Sequence, residues 1–215
     1  MSAVRDDVVA YAHTLDGLGA APADPDRRAA YLDVIARDES PERCNEMARM
    51  SGCELVMRGI LRRFIRHPRL EARYISGRAG ADLLEIARQA GGAFAWRRKA
   101  PEPGDILIIG GGTDGGGPEH AYMVLSVGPD PDDDDVLLIH GLDGGQRDDD
   151  GFQIITTREH VLRQGTDRAS DGNDPGGGAR RKIRFVLDLA AILERFERTD
   201  EDAHALAHEL AYEDP

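Results

Sequence analysis

The hydrophobic period of this chain changes near Trp96, and that change limits the folds open to it. Before it, apolar residues recur at helical spacing. Val4, Val8, Val9 and Ala12 make one stripe, and Ala30, Tyr31, Val34 and Ile35 make another within roughly Asp26–Asp38. Asp24-Pro25 ahead of that run suits a cap followed by a first-turn proline. The strongest helical segment runs from Cys53 to about Arg66. Leu55, Val56, Ile60, Leu61, Phe64 and Ile65 line one side of it, and Arg58, Arg62, Arg63 and Arg66 lie mostly off that side. His67-Pro68 stops it, and Gly80–Ala90 forms a further amphipathic helix. After Trp96 the apolar runs are short and bounded by turn residues. They read as strands at Ile106–Ile109, His120–Val127, Val136–Asp143, Gln153–Thr157 and Arg184–Leu187, before a last helix through Arg198. Helices first and an antiparallel meander second is an α+β pattern.

The chain divides into an N-terminal helical segment (1–40), a main domain (41–190), and a C-terminal helix with an acidic tail (191–215). Gln164–Gly178, rich in Gly, Asp and Ser, reads as a mobile connection. No internal repeat is visible. At 215 residues the chain can bury a core without disulfides, and its two cysteines cannot build a disulfide framework. A net charge of −13 argues against nucleic acid or an anionic membrane as partner. No apolar stretch reaches membrane-spanning length. The first residues, Met-Ser-Ala-Val-Arg-Asp-Asp, lack a basic region followed by an apolar one. The expected location is the cytoplasm, or the outside of the cell by a route that reads no N-terminal signal.

Cys53 is the most informative single residue. It opens the best amphipathic helix directly after Ser51-Gly52. Unpaired backbone N–H groups and the positive dipole end favour a thiolate there, and could also stabilise an oxyanion. A free cysteine is otherwise a small buried hydrophobe. Cys44, in the polar run Pro41-Glu-Arg-Cys-Asn-Glu, starts no apolar stripe and reads as a bystander. A nucleophilic thiol needs a base, and His120 at the mouth of a strand can face a cleft. His13, His67, His160, His204 and His208 stand in polar or terminal settings where solvated histidine is the default. If the turn after Val127 centres near Pro131–Asp132, His120 pairs with Asp143 across neighbouring strands and Asp143 can orient the imidazole. His140, three positions earlier, falls on the other face unless a bulge intervenes, and is the alternative third residue.

Three other features carry less chemistry. Gly110–Gly117 lacks the Gly-Lys-Ser/Thr ending of a phosphate-binding loop and reads as a flexible flap. Asp132–Asp135 lacks the ligand spacing of a calcium loop. His204 and His208 have the spacing of a zinc pair, but Ala205 stands where a zinc protease needs Glu.

Four segments resemble the superfamily of papain-like cysteine peptidases and amidases of the NlpC and CHAP type. Ser51-Gly-Cys-Glu-Leu-Val-Met-Arg-Gly-Ile-Leu-Arg62 is similar to the family's nucleophile helix, and Pro103-Gly-Asp-Ile-Leu-Ile108 to the strand preceding its histidine. Glu119-His-Ala-Tyr-Met-Val-Leu125 resembles the histidine strand. Leu142-Asp-Gly-Gly-Gln146 with Gln153-Ile-Ile sits where the family places its third polar residue. The resemblance covers about Arg43 to Leu189. It implies a papain-like fold with helices packed on an antiparallel half-barrel. Cys53 would be nucleophile, His120 base and then acid, and Asp143 or His140 the orienting residue. It also implies amide hydrolysis, often of peptidoglycan stem peptides, with no cofactor. Two departures stand out: Glu54 follows the cysteine where the family has a small residue, and no wall-binding module is visible. A catalytically inactive member using the fold for binding is the alternative.

Overall fold

The computed structural model describes residues 3–36, 39–49, 52–73, 79–95, 98–111, 117–163, 168–170 and 181–196. Helices α1 (Ala3–Thr14), α2 (Pro25–Ala36), α3 (Pro41–Met47), α4 (Cys53–Phe64), α5 (Pro68–Glu71) and α6 (Ala79–Gln89) come first. Strands β1 (Ala93–Ala95), β2 (Ile106–Gly111), β3 (Gly117–Pro129), β4 (Val136–Arg147), β5 (Gln153–Arg163), β6 (Arg168–Ser170) and β7 (Arg181–Leu187) follow, then α7 (Leu189–Phe196). The helix starts are chemically marked. The Asp24 carboxylate accepts from the Arg27 amide (3.0 Å), as the Asp24-Pro25 pair predicts. Ser40 does the same for Arg43 ahead of Pro41, and the His67 ring accepts from Arg69 ahead of Pro68. His67 is therefore a buried cap, with its other nitrogen 3.1 Å from Gln89 Oε1. The solvated setting read from its sequence context is corrected by these two bonds.

The strands form one antiparallel sheet in the order β1-β7-β2-β3-β4-β5-β6, and β6 also pairs with β7. Pairing therefore runs round from β7 through β2 to β5 and returns by way of β6. Alternation gives the sheet two buried faces. Ile106, Ile108, Ala121, Met123 and Leu125 join the apolar sides of α1, α2, α4, α6 and α7 in one core. Leu107, Ile109, Tyr122, Val124, Ile139, Leu162, Ile183 and Val186 pack together on the other face. Val8 and Tyr31 share the first core with Leu142, so the first 40 residues are packed against the sheet.

The Pro-Gly-Asp stretch before β2 has a clear structural task. Gly104 has φ +91°, and a Cβ there would lie 2.6 Å from Leu189 Cδ2. Asp105, fully buried, accepts from Arg5 (2.8 Å) and from the Leu189 amide (3.1 Å), and pairs with Lys99 (3.1 Å). One carboxylate thus ties α1 and the start of α7 to the sheet.

The α+β order expected from the period change is present, with several revisions. β5 extends to Arg163, and β6 lies inside the stretch read as a mobile connection. The short α3, α5 and β1 had no strong periodic signal. The centre of the Gly-rich loop (112–116), the acidic tail, His204 and His208 lie outside the described residues. No helix among the described residues is long and apolar enough to cross a membrane.

Candidate active site

Cys53 is the first residue of α4 and is 5% exposed. Gly52 precedes it with no side-chain cap, so the first-turn N–H groups are left to the backbone and to whatever sits at the thiol. The helix start lies against β4 because glycine is present on both sides. A Cβ on Gly144 would lie 2.6 Å from Val56 Cγ2 and 2.8 Å from Gly52 O, and one on Gly52 would lie 2.8 Å from Tyr31 Oη. Gly145, with φ +75°, occupies the register shift between Asp143 and Gln146. Asp143-Gly-Gly is thus a bulge within a continuous strand, and the bulge admits the helix.

The Cys53 sulfur shares a hydrogen bond with the His120 side chain and accepts another from the Ala121 amide. His120 Nε2 bonds Asp143 Oδ1, which leaves Nδ1 as the nitrogen for the thiol. The second oxygen of Asp143 takes a bond from His160 Nε2 at 2.7 Å. Asp143 and His160 are completely or almost completely buried. The His160 ring stacks on Tyr122 with centroids 3.9 Å apart and planes 4° from parallel.

The β3–β4 register differs from the one expected. Asp143 pairs with Tyr122, not His120, because the connecting turn lies further along and a bulge interrupts pairing between Val124 and Ser126. His120 is two residues from Tyr122, so it remains on the Asp143 face and meets it diagonally. His140, the alternative third residue, is not part of this arrangement. It is half exposed, 4.0 Å from Glu159 on β5. Cys44 stands apart too, its thiol directed at the Ala36 and Glu39 carbonyls. His160 is the residue whose sequence context misled most, since it is a strand residue with no water contact of note.

Burial disfavours charge at every group here, and the hydrogen bonds overcome it. Desolvation pushes the Cys53 thiol up, but the bond to His120, its positive charge and the Ala121 amide bring it below its usual value, against Glu54. Burial pushes His120 down, yet Asp143 and Cys53 raise it to about 9. Asp143, penalised by burial, is held low by His120 and His160. Both shifts favour a thiolate–imidazolium pair backed by a carboxylate. The Tyr31 hydroxyl beside Gly52 has no hydrogen-bond partner among the described residues. Burial and the neighbouring Cys53 charge raise it, so it remains a protonated donor. In the sequence Tyr31 was only one member of an apolar stripe.

A cavity of about 360 Å³ opens among α2, α3 and the β4–β5 turn, with Arg28, Arg49 and the exposed Phe152 on its wall. Among the described residues no cluster of His, Cys, Asp and Glu is arranged to hold a metal ion. No family model, curated protein or solved structure matches the chain.

Proposed function

We propose that this protein is a papain-like cysteine amidohydrolase or peptidase, acting on an amide bond of a peptidoglycan stem peptide or a related peptide. The observation that carries the reading is the hydrogen-bonded line from the Cys53 thiol through His120 to the buried Asp143. The Cys53 thiolate attacks the amide carbon, and the oxyanion forms at the start of α4, where the positive end of the helix dipole lies. The Tyr31 hydroxyl, a donor with no partner of its own, faces the same point of the chain. His120 gives its proton to the leaving amine, and a thioester remains on Cys53. His120 then takes a proton from water, which attacks the thioester and restores the thiol. Asp143 holds the ring in the orientation that both transfers need.

Turnover of defined wall peptides by wild type and Cys53→Ala tests this. Hydrolysis by the wild type alone is expected; activity that survives in Cys53→Ala overturns the assignment. The small exposure of the thiol favours a second reading, a binding module of the same fold. Selective alkylation of Cys53 over Cys44 by iodoacetamide at neutral pH separates the two, since only the enzyme needs an accessible thiolate. The substrate would be met in the cytoplasm, as recycled peptide, or outside the cell.

A further inference from the structure

A carboxylate that accepts one hydrogen bond can still turn about its own axis, because the terminal torsion of Asp is broad. Asp143 accepts two, on different oxygens, from His120 and His160. The second donor is itself held. The His160 ring lies flat on Tyr122, and Gly141 makes the space: a Cβ there would lie 2.5 Å from Tyr122 Cδ2 and 3.1 Å from His160 Cδ2. We propose that His160 is a positioning residue of the Cys53 site, fixing the direction in which Asp143 presents Oδ1 to His120. The inference rests on the thiol reading above and adds a fourth member behind the three residues that carry it.

The hydrogen-bond count specifies the ring. Toward a carboxylate, Nε2 must be the donor. Nδ1 is buried and has no partner among the described residues. A proton there would be a buried N–H with nothing to accept it, whereas a bare lone pair costs less. The neutral Nε2–H tautomer meets both conditions. The ionisable and charged groups around the ring are Asp143 on β4, His120 and Tyr122 on β3, and Arg158 two residues away on the same face of β5. Of these, Asp143 connects it to His120 by hydrogen bonds, and Tyr122 touches both rings, a contact that a substitution keeping the ring stack leaves in place. Removing the His160 donor therefore acts on the thiol only through the carboxylate.

The test needs no substrate. The rate of Cys53 alkylation by iodoacetamide, resolved from Cys44 by peptide mass spectrometry, is followed from pH 4 to 11 in wild type, His160→Phe and His160→Gln. Phe keeps the ring stack and removes the donor; Gln carries an amide N–H near the position of Nε2. In the wild type the imidazolium persists up to about pH 9. His160→Phe is expected to lower that upper transition by about one unit, a tenfold change in the ionisation equilibrium. His160→Gln is expected to restore most of it. An unchanged profile in folded His160→Phe, or equal shifts in Phe and Gln, would overturn the proposal. If the Phe protein does not fold, His160→Asn, whose amide is too short to reach Oδ2, takes its place with the same expectations. A wild-type Cys53 no more reactive than Cys44 would instead sink the enzymatic reading, so the two failures are distinct.

Discussion

Gly144→Ala tests how closely α4 must approach the sheet. The added methyl would stand 2.6 Å from Val56 Cγ2 and 2.8 Å from Gly52 O, where contacts below 3.4 Å are already tight. Relief requires the start of α4 to move away from β4 by about 0.6–0.8 Å at these atoms. Overpacking of this size costs about 1–3 kcal/mol, a fall in Tm of several degrees for a chain of this length. The chemical effect is larger in proportion. Cys53 moves with the helix while His120 and Asp143 stay on the sheet, so the bond that lowers the thiol is stretched. A cysteine returned to an ordinary pKa near 8.5 is roughly 3% thiolate at neutral pH. The alkylation rate of Cys53 at pH 7 is therefore expected to fall by about tenfold, and amide turnover by about a hundredfold. Gly128→Ala is the control, since a methyl there meets nothing within 4 Å. Wild-type alkylation and Tm in Gly144→Ala would refute the account of how the helix is seated.

Two further substitutions separate chemistry from scaffolding. Tyr31→Phe removes the unpartnered hydroxyl and keeps the ring, so kcat on a wall peptide should fall by about 10²-fold while Cys53 alkylation stays near wild type; equal kcat would remove the phenol from the oxyanion site. Asp105→Asn takes the buried carboxylate from the Arg5 guanidinium, which keeps the exposed Glu102, and should cost about 1.5–3 kcal/mol in chemical denaturation, with Cys53 alkylation in the folded protein unchanged. A loss of thiol reactivity there would place the Pro-Gly-Asp stretch in the chemistry.

Much of the architecture was legible because helices and strands leave different periods. The Cys53 stripe marks α4 almost to the residue, and the apolar runs mark where β2, β4 and β5 begin, whereas β3 starts at Gly117, ahead of His120. Strand register was not legible. A bulge near Leu125 and a turn displaced from Pro131–Asp132 moved the pairing by two residues, which preserves the face and so kept Asp143 beside His120. A slip of one would have separated them. His160 was misread for a different reason. Its neighbours Arg158 and Glu159 look solvated, and only the curl of the sheet, which puts Tyr122 against the ring, buries it. Tyr31 has the opposite history: its burial follows from its stripe, but the orphaned hydroxyl depends on the close passage of Gly52. The short β6 sits in a Gly- and Asp-rich stretch and is defined by the strands on either side of it.

The groups that lower the Cys53 thiol come from β3, backed from β4 and β5, while the thiol itself is on a helix made long before any of them in the chain. No fragment shorter than residues 53–160 contains the whole circuit. During synthesis the emerging α4 therefore carries an unremarkable cysteine, and its nucleophilicity switches on only when the hairpin of β4 and β5 has closed over β3. The reactivity of one sulfur atom thus becomes a measure of whether β3, β4 and β5 have come together.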